Sequence, residues 1–116
     1  MDWTFDMKRL AAQAEKSPEP WQEFLRVPDL SAGIYHLKAG ANDAQTPHGE
    51  DELYYCLAGK ARLRVEREHF EVAPGRLLFV PARAEHRFER ITEDLTLLVI
   101  FGPAEGSRPD RRDDPA

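Results

Sequence analysis

The apolar and polar residues of this chain follow two patterns, helical before residue 20 and β-like after it. Residues 7–16 contain good helix formers without glycine or proline, and their apolar side chains recur at helical spacing: Met7, Leu10, Ala11 and Ala14. Pro18 and Pro20 then stop the pattern, because proline does not fit a helix interior. The sequence therefore predicts a short amphipathic helix over residues 7–16.

From about residue 21 to residue 101, short runs of β-forming residues alternate with turn residues such as Pro74 and Gly75. The predicted strands cover residues 24–27, 33–38, 53–57, 61–66, 69–72, 77–80, 86–90 and 95–101. In the fourth of them, Ala61, Leu63 and Val65 alternate with charged residues, as in a strand with one buried face. Many short strands at nearly regular spacing predict an all-β sandwich or barrel.

The predicted organisation is one domain with an appendage at each end. A chain of 116 residues can bury one core but not two. We expect residues 1–23 to form an N-terminal arm that carries the helix, and residues 24–103 to form the barrel. Residues 104–116 are rich in proline and charge and lack apolar periodicity, so they are predicted to be a disordered tail.

The net charge of −5, from 21 acidic and 16 basic residues, argues against nucleic acid as a partner, since nonspecific binding needs a basic face. The chain has no apolar run near the roughly 20 residues of a membrane span. It also lacks the pattern of a signal peptide at its start. Its single cysteine, Cys56, cannot form an internal disulfide, which fits a reducing compartment. We therefore expect a cytoplasmic protein that binds no membrane and whose partner is a small molecule or another protein.

A histidine and a carboxylate, His48 and Glu52, stand four residues apart in the stretch 40–59. The glycine between them and the β-rich run after them argue against a helix. On one straight strand the two side chains would lie about 13 Å apart, too far to hold one ion. They converge only if the chain reverses between them, which Gly49 makes easy. The spacing therefore predicts ligands on two adjacent strands.

The same stretch resembles the first motif of the cupin family, G-x5-H-x-H-x3,4-E-x6-G. Every spacing is kept, with threonine at the first histidine position: Gly40-x5-Thr46-x-His48-x3-Glu52-x6-Gly59. The second cupin motif, G-x5-P-x-G-x2-H-x3-N, is matched in part: Gly75-x5-Pro81-x-Arg83-x2-His86-x3-Arg90. The resemblance covers about residues 33–101. It implies an all-β fold, the double-stranded β-helix or jelly-roll barrel of the cupins, with the short helical arm in front.

Two residues of the second motif depart from the cupin pattern. Arg83 replaces a glycine, and arginine would be strained there if the turn needs a positive φ. Arg90 replaces the asparagine and either points a cation towards an anionic ligand or, as we expect, faces solvent.

The resemblance implies a metal site. His48, Glu52 and His86 match three of the four cupin ligands, and two imidazoles with one carboxylate suit iron, manganese, nickel or zinc. Thr46 stands at the fourth place, where its hydroxyl is a poor ligand. Either Gln45, turned inward by a bulge, or a water held by Thr46 fills that place.

The alternation of a strand extends the site. With Glu52 facing the barrel interior, Tyr54 and Cys56 should face it too. Tyr54 is then the candidate catalytic acid or orienting group, whereas Cys56 is expected to be a small buried side chain. Beyond His86, Phe88 faces the same way and is expected to belong to the core.

Cupin folds host many chemistries, so more than one function stays open. One is a metal-dependent oxygenase, isomerase or lyase acting on a small molecule. The other is a non-catalytic module that binds or senses a small ligand and keeps a vestigial metal site. Small barrels often hide their edge strands by pairing, which predicts a homodimer formed through the N-terminal arm.

Overall fold

A computed structural model describes residues 2–43, 45 and 47–108 of the chain. These residues form one helix and six strands: α1 (Met7–Lys16), β1 (Trp21–Val27), β2 (Leu30–Leu37), β3 (Asp51–Val65), β4 (Glu68–Val72), β5 (Leu77–Val80) and β6 (His86–Gly102). The predicted helix is confirmed over residues 7–16. None of the described residues belongs to a helix that is long and apolar enough to span a membrane.

The helix begins at a capped end and lies on the outside of the sheet. Asp6 is its N-cap, and the Asp6 side chain accepts a hydrogen bond from the backbone N–H of Arg9. Only Ala14 of the helix is fully buried, and the helix contacts β2. The sheet itself begins at Trp21, so β1 includes three residues that the prediction assigned to the arm.

All strand pairs are antiparallel and run in the order β1-β2-β6-β3-β4, with β5 also paired to β3. The two long strands, β3 and β6, pair along most of their length. Beside β3, β5 flanks its first half and β4 flanks its second half. Side chains from both halves nevertheless meet in one core, among them Tyr54, Leu63, Phe88 and Leu97. The long two-stranded ribbon of β3 and β6 therefore folds over on itself and closes the all-β barrel that the sequence predicts.

The predicted strands 53–57 and 61–66 form one strand, β3, and the predicted strands 86–90 and 95–101 form one strand, β6. The predicted break at Gly59 is therefore wrong. The pairing of β3 with β6 shifts register three times between Cys56 and Arg62, which bends the ribbon without ending it. Gly59 lies in this bend with φ of +98°. A Cβ added there would clash with the carbonyl oxygen of Asp94. Only glycine fits such a close approach of two backbones.

The turn that contains Arg83 keeps the conformation that the usual glycine would favour, because Arg83 adopts φ of +70°. Arginine therefore occupies a left-handed conformation that L-residues seldom take. The backbone N–H of Arg83 donates to the carbonyl oxygen of His48 at 2.6 Å, which holds this turn against the loop before β3.

The start of the predicted disordered tail is an ordered turn in the structure. Ala104 is buried, and the backbone N–H groups of Gly106 and Arg108 donate to the two carboxylate oxygens of the buried Glu50, at 3.1 and 2.8 Å. Residues 104–108 thus differ from the prediction because a distant carboxylate binds their backbone. Residues 109–116 of the predicted tail lie outside the described residues.

We predict that Gly59→Ala destabilises the protein more than Gly75→Ala does. Both glycines have a positive φ, but Gly75 has no atom within 4 Å of the position of an added Cβ. Gly75→Ala should therefore cost about 1 kcal/mol of unfolding free energy from backbone strain alone. Gly59→Ala should cost about 2–4 kcal/mol, because the clash with the backbone at Asp94 adds to the strain. Urea denaturation measures both values, and equal costs would contradict the close approach.

Candidate functional site

A cavity of about 290 Å³ opens into the barrel, and four of the five predicted site residues border it: Gln45, His48, Glu52 and Tyr54. Its walls come from β1, β2, β3, β6, the loop before β3 and the C-terminal turn: Trp21, Tyr35, Gln45, His48, Glu52, Tyr54, Val99, Phe101 and Glu105. The cavity therefore gathers side chains that are far apart in the sequence.

Glu52 and His86 form a buried pair on two elements of the barrel. The Nε2 atom of His86 lies 3.2 Å from Oε1 of Glu52, and both side chains are almost fully buried. On the other side of the ring, Nδ1 lies 2.9 Å from the carbonyl oxygen of Ala84. A carbonyl oxygen only accepts hydrogen bonds, so Nδ1 carries a proton and Nε2 is the atom that faces Glu52.

The neighbouring Glu52 affects the pKa of His86. Burial alone lowers the pKa of His86, but the Glu52 carboxylate, with help from the carbonyl of Ala84, raises it more, and the pKa of His86 ends above its ordinary value. The contact with Glu52 is not aligned as a hydrogen bond, however. Oε1 of Glu52 is a buried oxygen without a hydrogen-bond partner among the described residues.

Tyr54 reaches the same pair from β3. Its hydroxyl lies 3.1 Å from Nε2 of His86 and 3.1 Å from Oε1 of Gln45. The amide oxygen of Gln45 can only accept, so Tyr54 donates its proton there whenever His86 Nε2 is protonated. Burial and the nearby Glu52 charge raise the pKa of Tyr54 well above its ordinary value. Tyr54 and Cys56 are both buried, as the alternation of the strand predicts.

Asp43 organises these contacts, and its role was not predicted from the sequence. The buried Asp43 carboxylate accepts hydrogen bonds from the hydroxyl of Tyr35 at 2.6 Å, from Nε2 of Gln45 at 2.6 Å and from the backbone N–H of Phe88 at 2.8 Å. Because Asp43 takes the Gln45 nitrogen, the Gln45 oxygen faces Tyr54. A carboxylate in a polar loop resembles ordinary turn chemistry, and nothing in its spacing predicts partners on β2 and β6.

His48 is placed differently from the prediction. It lies in the loop before β3 and not on a strand, since β3 begins only at Asp51. The His48 ring packs edge-on against Phe101 at 5.1 Å, and its centroid is 6.3 Å from that of His86. Its Nδ1 atom lies 3.8 Å from Oε2 of Glu105. His48 thus borders the cavity but turns towards Glu105.

The structure therefore brings four of the predicted site residues into contact and leaves the fifth nearby. The contacts form a series, from Glu52 to His86, from His86 to Tyr54 and from Tyr54 to Gln45, whereas His48 stands apart. Among the described residues, no group of three or more histidine, cysteine, aspartate or glutamate side chains is assembled closely enough to hold a metal ion. Thr46, which replaces the first cupin histidine, lies outside the described residues.

Glu105 is the second residue that sequence reasoning missed, because it lies in the predicted disordered tail. Its backbone N–H donates to the hydroxyl of the buried Ser31 at 2.8 Å. Burial raises the pKa of the Glu105 carboxyl, His48 lowers it, and the Glu52 carboxylate raises it further. The net pKa lies above the ordinary value.

The remaining candidates lie away from the cavity. Cys56 is buried, its thiol lies 3.4 Å from the carbonyl oxygen of Ala58, and burial raises its pKa, so it is a small core side chain. Phe88 belongs to the core as predicted. Arg90 is exposed and borders a different surface depression, so it brings no cation to an anionic ligand in the barrel.

Comparisons with known proteins agree with this architecture. A family model described as "Cupin domain" matches residues 33–101. SCO3923, an uncharacterized protein of Streptomyces coelicolor, is 40% identical over 101 residues, which are 87% of this chain and 96% of that protein. An uncharacterized protein of Aquifex aeolicus is 28% identical over 102 residues, 85% of this chain and 83% of that protein.

Solved structures show the same fold. TT1209 from Thermus thermophilus superposes with a TM-score of 0.70 at 30% identity and covers 87% of this chain and 97% of its own. KdgF from Halomonas sp. superposes with a TM-score of 0.67 at 23% identity, over 84% of this chain and 88% of its own. These likenesses confirm the predicted jelly-roll fold.

We predict that Asp43→Asn lowers the melting temperature by roughly 5–15 °C. Asparagine replaces one of two accepting oxygens by a donor, so a buried donor loses its partner at a cost of about 1–3 kcal/mol. Asp94→Asn is the matched control, since the exposed Asp94 accepts only one backbone N–H, from Ala39, which an amide oxygen can also accept. Thermal unfolding followed by circular dichroism compares the two, and an equal shift would contradict the central role of Asp43.

Proposed function

Because the chain belongs to the cupin family, we propose that it binds a small molecule in the barrel cavity, beside a divalent transition-metal ion held by Glu52 and His86. In this proposal His48 becomes the third ligand when its ring turns away from Glu105. Gln45 is not a ligand in this proposal, because its amide is already bonded to Asp43 and Tyr54.

The observation that carries the proposal is Oε1 of Glu52, a buried oxygen without a hydrogen bond whose neighbour at 3.2 Å is Nε2 of His86. A buried carboxylate oxygen without a hydrogen bond is costly unless a cation lies next to it. Its distance of 3.2 Å from His86 Nε2 is also the right spacing, since two adjacent ligands at about 2.1 Å from one ion lie about 3.0–3.4 Å apart. Two donors therefore fit an ion without any movement.

The surroundings of His86 support the same role. Metal-binding histidines usually donate their other ring N–H to a carbonyl or carboxylate, which fixes the ring and the free nitrogen. His86 makes this bond to Ala84 and directs Nε2 at Glu52. A nitrogen and a carboxylate donor suit iron, manganese, nickel or zinc, and they do not separate these metals.

A bound ion would polarise an oxygen of the ligand. The protein itself contributes an oriented tyrosine hydroxyl and an apolar wall that excludes water. Tyr54 holds its proton at a hydroxyl that Gln45 orients, and is the candidate catalytic acid if the protein is an oxygenase, isomerase or lyase. Val99 and Phe101 line the cavity and are buried, so they exclude water from this side.

A non-catalytic binding module is the second candidate function. It is favoured by the position of His48, which leaves only two of the predicted ligands in contact. Metal-loaded protein that binds small molecules but converts none across a panel of carbonyls, phenols and thiols would favour this module over an enzyme. We keep a cytoplasmic location as part of the proposal, because the one cysteine is buried as a free thiol.

We predict that Glu52→Gln and His86→Ala each weaken metal binding by more than about tenfold. Loss of a group that only hydrogen-bonds a metal ligand already lowers metal affinity by about tenfold or more, and loss of a ligand itself should lower it further. Calorimetric titration with Zn²⁺ and Mn²⁺ measures the affinities, and metal analysis of protein purified without added metal gives the occupancy. Glu85→Gln is the control, since Glu85 is exposed next to His86 in the sequence. Wild-type protein that binds no more metal than Glu52→Gln would contradict the site.

We also propose a homodimer formed through the N-terminal arm, where Trp3 is 87% exposed. Trp3→Ser should then shift the protein from dimer to monomer in light scattering, because it removes a large apolar group from the interface. Leu77→Ser is the comparison, since Leu77 is 58% exposed on β5, away from the arm. A monomeric wild type would contradict the dimer, and dissociation only by Leu77→Ser would contradict the arm as its interface.

A further inference from the structure

Among the described residues that line the cavity, carboxylates are present and lysine and arginine are absent. Its lining includes two carboxylates, Glu52 and Glu105, and in the part of the chain that the structure describes neither lysine nor arginine lines it. The nearby Arg26 is held by Glu23 through two hydrogen bonds of 3.2 and 2.7 Å. Among the residues that the structure describes in this lining, an anionic ligand would therefore meet two carboxylates and one histidine, His48, but no lysine or arginine.

Most of the remaining wall is aromatic. Trp21, Tyr35, Tyr54 and Phe101 all line the cavity. Trp21 and Phe101 meet edge to face, with ring centroids 6.0 Å apart. Aromatic faces attract cations through the negative potential of the ring, and most strongly when the cation is partly removed from water.

The two carboxylates lie at different depths. Glu52 is only 2% exposed, so it lies deep in the cavity, where it contacts the buried His86. The Glu105 side chain is 28% exposed and therefore lies nearer the mouth. Nδ1 of His48 lies 3.8 Å from Oε2 of Glu105, which is too long for a hydrogen bond. Glu105 thus offers an acceptor to whatever enters.

Glu105 is also held in place before any ligand arrives. The buried Ser31 accepts its backbone N–H, and the buried Glu50 binds the next turn through Gly106 and Arg108. Two fully buried polar side chains are thus used to fix this one turn. The backbone that carries the Glu105 carboxylate is therefore ordered before binding, so less entropy is lost when a partner binds.

We infer that the ligand of this cavity carries a positively charged amine, which Glu105 binds at the mouth while the aromatic side chains surround its carbon atoms. This inference rests on the proposed function, because the amine enters the cavity where the ligand is proposed to bind. It makes Glu105 the specificity-determining residue and leaves the deep end, where Glu52 contacts His86, to the ion. A volume of about 290 Å³ restricts the ligand to a small molecule.

The test uses two small aliphatic probes of opposite charge and similar length, n-butylammonium and butyrate. In a Trp3→Phe background, Trp21 is the only tryptophan left of the two in the chain, so its fluorescence reports on the cavity wall. Each probe is titrated at constant ionic strength, with and without Zn²⁺. We expect n-butylammonium to bind at least about tenfold more tightly than butyrate, since one charge-assisted hydrogen bond supplies that factor.

Substitutions then test whether Glu105 causes the preference for the positively charged probe. Glu105→Gln should weaken n-butylammonium binding about tenfold without abolishing Zn²⁺ binding as Glu52→Gln does. Glu93→Gln is the matched control and should change neither, because Glu93 is exposed and lies 3.6 Å from Lys60 on the surface. The inference is overturned if butyrate binds as tightly as n-butylammonium, if Glu105→Gln has no effect, or if Glu105→Gln loses Zn²⁺ as Glu52→Gln does.

These outcomes separate the inference from the metal site. Wild-type protein that prefers n-butylammonium but binds no Zn²⁺ supports the inference and contradicts the proposed ion. Wild-type protein that binds Zn²⁺ without preferring n-butylammonium supports the ion and contradicts the inference.

Discussion

The buried carboxylate of Asp43 is the contact on which the site depends. It ties the loop before β3 to Tyr35 on β2 and to the backbone of β6, and it fixes the orientation of Gln45. The orientation of Gln45 in turn decides where the Tyr54 hydroxyl donates, and Tyr54 borders His86. A chain of hydrogen bonds therefore runs from a structural carboxylate to the centre of the cavity. Such networks are stable only when every member has a partner.

Three buried carboxylates near the cavity show how structural and functional roles separate. Asp43 and Glu50 each satisfy both oxygens with donors of the protein, two side chains and a backbone N–H for Asp43 and two backbone N–H groups for Glu50, and so need nothing from outside. Glu52 is as deeply buried, but one of its oxygens has no such donor among the described residues. The difference lies in the partners and not in the residue type or the burial. It marks Glu52 as the carboxylate that a cation or a ligand would complete.

The sequence could predict what depends on local pattern. Period-two alternation places Tyr54 and Cys56 beside Glu52, and the motif spacing points to Glu52 and His86, which do meet. The break at Gly59 was wrong because glycine marks a bulge as readily as a turn. Asp43 and Glu105 were out of reach for another reason. Their importance comes from partners on distant strands, and such contacts leave no periodic signal nearby.

The bond between Ser31 and Glu105 joins residues 74 positions apart, and it has a consequence for folding. Strand β2 finds its partner β6 only near the end of the chain. Long-range pairings of this kind are slow to form, because the loop between them must close first. During synthesis the cavity stays incomplete until residue 105 has left the ribosome. Ligand binding would therefore report that the whole barrel has been made.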